Sequence, residues 1–467
     1  MKVATFLQDK FQLYHPGRIA AAIIACVATL GPPGLMAFII HRYSVNVPLG
    51  DEWDTLPLVL ADRQGRLDFA SLWAPHNEHR LLLVNIISVL TARLTEYNVV
   101  ANVWCGFAFE LLALVIVWRI LKITLTGGDG VLVRPLTAYA SLLMFWTVSW
   151  ANWMWGISSV EFLSGVFWAA VAVWALAEWP RRWLGFFAAF GAAILGACTA
   201  AAGFPLFLIV AVALFASRRD GKSLAQFAVF AALSAIFLVL FFRGWKPLYS
   251  FSGGQPLWRS ALQAAGYMLT YLGSPFTTRF GWKASLPLGF LGLGWFVICI
   301  WRALRSSSNL AGFLTPWMFL GAYAILNAAL TAYGRLHFGL EQATSTRYTS
   351  IAVLFWIATG VISAVLVRRW AGQPASRRAV FAVSGIVMAL YGAAYAISYY
   401  RALPNIQGES LGLQRCRDAV LNYRTAPNDI LQRLHPSPKK VRDEAKELES
   451  AHIGPFAHTP PMDSTFQ

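Results

Sequence analysis

The chain has 467 residues, 57% of them hydrophobic and only 13% charged, and its mean hydropathy is +0.54. Length alone suggests about three soluble domains, but long apolar runs broken by short basic stretches describe an all-α polytopic membrane protein instead. The net charge of +16 sits in small clusters between those runs, so it reads as topology signals and argues against a nucleic-acid partner.

Lys2, Lys10 and Arg18 precede an apolar run through Ile40. That run is too long for a signal-peptide core and lacks a clear small-residue cleavage site, so it is expected to stay as the first helix. About eleven spans are expected, at 18–40, 97–119, 135–151, 158–179, 183–199, 201–217, 223–242, 284–304, 310–332, 348–367 and 379–400. The stretch 81–94 carries Arg93 and reads as an interfacial or half-inserted helix; 258–276 is similarly ambiguous. Residues 1–400 form the membrane domain, with a helical loop at 41–96, and 401–467 form a tail in which "KKVRDEAKELES" reads as a solvated amphipathic helix.

Basic clusters poor in acids, such as Arg181-Arg182, Arg218-Arg219 and Arg368-Arg369, then fall on the side of the N-terminus. The positive-inside rule makes that side cytoplasmic and the first loop and the tail extracytoplasmic, in a multi-pass protein of the inner (plasma) membrane. Cys26, Cys105, Cys198 and Cys299 lie in apolar runs and Cys416 in the tail, with no CxxC pair, so neither a disulfide framework nor a metal cluster is expected. No Walker or GxGxxG loop points to cytoplasmic nucleotide chemistry.

The unusual polar motifs all fall on the outer side. The first loop opens with Asp51, Glu52, Trp53 and Asp54, and later carries "APHNEHR", with His76, Asn77, Glu78, His79 and Arg80. A carboxylate here suits a general base held beside a second, histidine-rich centre; the plain alternative is a solvated loop of mutually neutralising charges. His76 and His79, at i and i+3, could share a helix face near Glu78, which admits a divalent metal, though no HExxH pattern is present and no cofactor is firmly implied. "SWANWMWGISSVEF" adds Asn152, Trp155 and Glu161, the last just inside the outer end of its helix, where an ionisable group is costly. Glu110 sits near mid-span, where a structural hydrogen bond and a functional role are equally open. "TAYGRLHFGLEQATSTRYTS" brings Arg335, His337, Glu341, Arg347 and Tyr348, with Arg347 at headgroup depth, suited either to an interfacial anchor or to a lipid phosphate. The loop 243–283 adds five basic residues and no acid.

An inward N-terminus, a long first outer loop opening with an acidic pair and a bundle of further spans resemble the GT-C superfamily of membrane glycosyltransferases. The nearest subgroup is that of protein mannosyltransferases and aminoarabinose transferases. "GDEWD", "HNEHR", "NWMWG" and "GRLHFGLEQATSTRYT" carry the resemblance, and the architecture covers residues 1–400. The resemblance implies a polyprenyl-phosphate-linked sugar donor, a lipid, glycan or protein acceptor, and inverting transfer. It implies that Asp51, with Glu52 as its alternative, is the base. Arg347 would hold the carrier phosphate, and Glu78 or Glu161 would make a second acidic contact. A transporter and an outer-leaflet acyltransferase or glycan ligase are the competing classes.

Overall fold

The computed structural model describes residues 16–76, 79–216, 221–244, 256–276, 281–306, 308–370 and 374–457. Among them the chain is helical, and the one β feature is a bridge between His76 and His79. Seven helices are long and apolar enough to cross a membrane: Ala22–Tyr43, Val100–Thr124, Gly156–Glu178, Gly221–Phe242, Gly281–Ser306, Leu310–Phe338 and Thr349–Arg369. An eighth candidate is the pair Asp129–Met144 and Thr147–Trp153, bent by 58°.

These seven or eight candidates stand against the expectation of about eleven. The expected spans at 183–199 and 201–217 are helices of 15 and 13 residues, short of the roughly 20 that a bilayer core requires. They fold against each other through the turn Ala201–Gly203, where a Cβ on Gly203 would lie 2.0 Å from the Ala197 nitrogen. The stretch 81–94 forms the 14-residue helix Leu82–Thr95, also too short to cross. The last expected span, 379–400, lies in a 48-residue helix, Pro374–Leu421, that runs past residue 400 without a break.

In chain order the helices that build the site are α1 (Pro16–Tyr43), α2 (Glu52–Arg63), α3 (Phe69–Trp73), α4 (Leu82–Thr95), α5 (Val100–Thr124), α6 (Val133–Met144) and α7 (Gly156–Glu178). They continue with α8 (Trp183–Ala197), α9 (Phe204–Ala216), α10 (Gly221–Phe242), α11 (Leu257–Gly273), α12 (Gly281–Ser306), α13 (Ser308–Arg335), α14 (Thr349–Trp370), α15 (Pro374–Leu421), α16 (Asn428–Gln432) and α17 (Pro438–Ala451). Helices α5 and α7 pack backbone to backbone, since a Cβ on Gly106 would sit 2.7 Å from the Ser159 carbonyl carbon. Small residues permit that approach, and packing of this kind holds helices together where hydrophobicity cannot.

Two cores result. The larger runs through the bundle around Phe145, Trp153, Trp317, Tyr323 and Phe355. The smaller joins the first loop to the tail: Trp53, Leu56, Val89 and Tyr97 pack with Leu413, Val420, Leu434, Val441, Leu448 and Phe456. Backbone bonds stitch the two segments together, from Gly50 N–H to the Leu434 carbonyl at 2.7 Å and from Gly454 N–H to the Glu96 carbonyl at 2.7 Å. The helix expected to be solvated, α17, therefore buries its Val441, Ala445 and Leu448 face. Its heptad-like apolar stripe was legible; the surface that covers it was not.

Candidate functional site

A cavity of about 360 Å³ opens at the end of the bundle that carries the first loop. Asp51, His76, His79, Glu161, Arg335, Arg347 and Tyr348 line it, so seven of the sequence-predicted residues converge from the first loop, α7, α13 and the segment before α14. Glu78 lies outside the described residues. Phe162, Tyr271, Asn327, Thr331 and Tyr333 complete the wall. Sequence reasoning did not single these out, because isolated Asn and Tyr residues in apolar helices look like ordinary packing residues.

Asp51 is the N-cap of α2, but its side chain makes no capping bond. It turns instead toward His76, with Nε2 to Oδ2 at 3.8 Å, an ion-pair distance too long for a hydrogen bond. The imidazole holds the Asp51 carboxyl below its ordinary range, against the opposing effect of burial; Arg347 and His435 add to the lowering. In return Asp51 raises the His76 pKa above 6.5, with Asp54 and Glu161 contributing. Each partner therefore favours the charged form of the other, the carboxylate and the imidazolium.

Glu52, one residue on, points the opposite way. It is 2% exposed and does not line the cavity. Its Oε2 accepts from Leu49 N–H at 2.8 Å and its Oε1 from Ile157 N–H at 3.1 Å. The carboxyl thus caps the N-terminus of α7, where orphan N–H groups and the helix dipole favour an acceptor. Burial pushes its pKa up to about 8, opposed by the N–H groups of Leu49, Ile157 and Gly156. A Cβ on Gly156 would lie 2.7 Å from Glu52 Oε1, so glycine is what lets the carboxyl reach this helix end.

His76 and His79 exchange both backbone hydrogen bonds, at 2.8 and 2.9 Å, and so form a β-bridge. This corrects the expectation that the two histidines share a helix face; Glu78, the third member of the metal arrangement the motif admits, lies outside the described residues. A different trio, Asp51, Asp54 and His76, brings one ligand atom each within 4.8 Å of one another, a set that a divalent cation could use. Asp54 is not the solvated residue its position suggests, since Lys440 of α17 ion-pairs with it.

Three other predicted residues support the cavity from behind. Arg80 donates Nε to the Phe241 carbonyl at 2.7 Å, and its terminal nitrogens to those of Trp73 and Arg243 at 2.6 Å each. It clamps the C-terminal end of α10, where carbonyls need donors. Asn152 is fully buried and donates Nδ2 to the Arg347 carbonyl at 2.9 Å and to Ser350 Oγ at 2.8 Å. Trp155 donates Nε1 to the Leu49 carbonyl at 2.9 Å, and the Arg347 guanidinium lies over its ring at 5.2 Å. Together these contacts fix the backbone of Arg347 against the turn that presents Asp51. His337 and Glu341 are exposed and stand outside the cavity.

Across the cavity, Arg347, Asp51, His76 and Arg335 are the charged groups that act on Glu161. Tyr348 stacks on Tyr271, with centroids 5.5 Å apart and an interplanar angle of 22°. The chamber therefore gathers a carboxylate–imidazole pair, two guanidinium groups and stacked phenol rings around one space. Glu110 lies elsewhere, fully buried in α5, and both of its carboxyl oxygens are without hydrogen-bond partners, which removes the structural hydrogen bond as its explanation.

The chain was compared with family models, curated proteins and solved structures, and none of them matches.

Proposed function

We propose that the protein is a glycosyltransferase of the inner (plasma) membrane that takes a sugar from a polyprenyl-phosphate carrier and passes it, with inversion, to an acceptor outside the cytoplasm. The convergence of Asp51 and His76 with Arg335 and Arg347 around one cavity is the observation that carries this reading. The orientation follows the positive-inside rule, with the N-terminus in the cytoplasm and the first loop, cavity and tail outside.

The chemistry divides between the two walls. A carrier phosphate is already a good leaving group, so it needs positive charge rather than a general acid, and Arg335 and Arg347 supply guanidinium donors for it. The acceptor hydroxyl or amine needs a base, and ionised Asp51 takes its proton. A lowered pKa costs Asp51 some intrinsic basicity. It also keeps the carboxylate unprotonated across the physiological range, with His76 fixing its position. Tyr271, Tyr348 and Phe162 offer aromatic faces for the sugar or for the first isoprene unit.

The test uses full-length protein in lipid nanodiscs with a panel of radiolabelled polyprenyl-phosphate sugars and a membrane extract as acceptor source. Transfer by the wild type and its loss in Asp51→Asn at unchanged melting temperature support the proposal. Full transfer by Asp51→Asn removes Asp51 as the base. A transporter is the second reading, and Glu110 is what favours it, as an unpartnered acid within a span. Solute uptake into proteoliposomes that depends on Glu110, without any transfer, would establish that reading instead.

A further inference from the structure

A smaller cavity of about 280 Å³ lies against the first. Trp150, Trp155, Ser345, Thr346, Arg347 and Glu409 are among its lining residues. Arg347 lines both chambers, so a group bound in one lies a single side chain away from a group bound in the other. The wall between them is built rather than incidental. Leu49 and Arg347 are held by Trp155 and Asn152 through the bonds already described, and the Trp155 ring is fixed by its own Nε1 hydrogen bond.

The two chambers differ in chemistry. The larger has Arg335 and Arg347 for an anionic group. The smaller replaces the second arginine with Glu409, which Arg433 approaches at 3.9 Å on Oε2 and whose carboxylate can still accept from hydroxyls. Its two indoles offer broad apolar faces, and Ser345 and Thr346 offer hydroxyls. Apolar faces flanked by hydroxyl and carboxylate groups match a neutral pyranose, which carries C–H bonds on its ring face and hydroxyls around its edge. The volume falls just under the roughly 300–1,000 Å³ of drug-sized ligand sites, which suits one ring rather than a chain.

We infer that this smaller cavity is an acceptor subsite for a neutral sugar ring, stacked on Trp150 or Trp155 and hydrogen-bonded by Glu409. This rests on the glycosyltransferase reading for the word acceptor, but the sugar site stands on its own lining. It also gives the tail a role. Glu409 and Leu413 come from α15, so the segment that closes over the first loop supplies one wall of the chamber.

The experiment is saturation-transfer NMR on the full chain in nanodiscs, with the methyl α-pyranosides of glucose, mannose and galactose as probes. Wild-type protein transfers saturation to the ring protons of at least one of them. Trp150→Leu and Glu409→Gln each weaken that binding about tenfold, while Gln226→Leu at the opposite end of the bundle leaves it intact. Glu409 is half-buried and glutamine is isosteric with it, so Glu409→Gln keeps the question answerable if Trp150→Leu fails to fold. Absence of transfer to all three probes, or wild-type binding in both variants, overturns the subsite. Binding that behaves as expected, in a wild-type protein that transfers no sugar from any donor of the panel, leaves the sugar site standing and overturns the enzyme reading.

Discussion

Two cavities lie at opposite ends of the same helices, and the larger one has less to offer chemically. The chamber at the first-loop end is about 360 Å³; the one at the other end is about 570 Å³. The larger draws on the C-terminal ends of α5, α7 and α9 and on the N-terminal part of α13, through Thr124, Leu176, Ala213 and Pro316. Among the described residues its polar lining is Thr124, Arg181, Ser223, Gln226 and Thr315, with no carboxylate. Two described acids at that end are paired: Asp129 with Arg368 and Arg369 at 3.2 and 3.1 Å, and Glu178 with Arg119 at 3.7 Å. At the first-loop end, two acids, two histidines and two arginines line the cavity itself, Asp51 and His76 paired with each other at its edge. Volume alone does not mark a site; convergent groups of opposite charge around a void do.

The largest test of this contrast is Asp51→Asn. A lost general base should lower transfer by about 100- to 10,000-fold with the melting temperature unchanged. Its neighbour should behave in reverse. Glu52→Ala strands the N–H groups of Leu49 and Ile157 in a buried setting, at about 1–3 kcal/mol each. Lower yield and melting temperature in detergent are the expected readouts, and a stable, inactive Glu52→Ala protein would reverse the assignment of the two acids. Arg335→Ala should raise the donor KM about tenfold or more, the worth of a charge-assisted hydrogen bond, with little change in acceptor KM. An equal change in both would make Arg335 an anchor.

The pH dependence is a finer test. Asp51 has a lowered pKa, so its pairing stabilises the fold above the ordinary carboxylate value of 3.8 and is lost as pH falls through the lowered one. His76 has a raised pKa, so its contribution is complete below 6.5 and is lost as pH rises through the raised value. The pair should therefore contribute most between those two reference values. His76→Gln should flatten the alkaline limb of the rate profile measured from pH 5 to 9, and an unchanged limb would remove His76 from the site. The smallest effect belongs to the other end. Gln226→Leu should alter transfer by less than about twofold, the size of coupling between distant independent sites.

The sequence alone settled what depends on composition and order. An apolar chain must satisfy its backbone hydrogen bonds internally, so helices were the expected outcome once the long runs were seen. The spacing of basic clusters, the placement of Asp51, His76, Arg335 and Arg347 outside the apolar runs and that of Glu161 just inside one were equally plain. Tertiary structure decided the rest. Adjacent residues at a helix start point in different directions, so only packing could send Asp51 to the cavity and Glu52 to the end of α7. Helix length could not be read through tight turns, which is why α8 and α9 looked like two full spans. Arg80 resembled a ligand contact because its partners are backbone carbonyls, which leave no signature in a list of side chains; Asn152 did because its partners, the Arg347 carbonyl and the Ser350 and Ser158 hydroxyls, are remote or unremarkable in the sequence. The tail looked solvated because its apolar stripe is covered by a loop more than three hundred residues earlier. Residue type and local period are written into the chain; the pairing of distant surfaces is an energy of the whole fold.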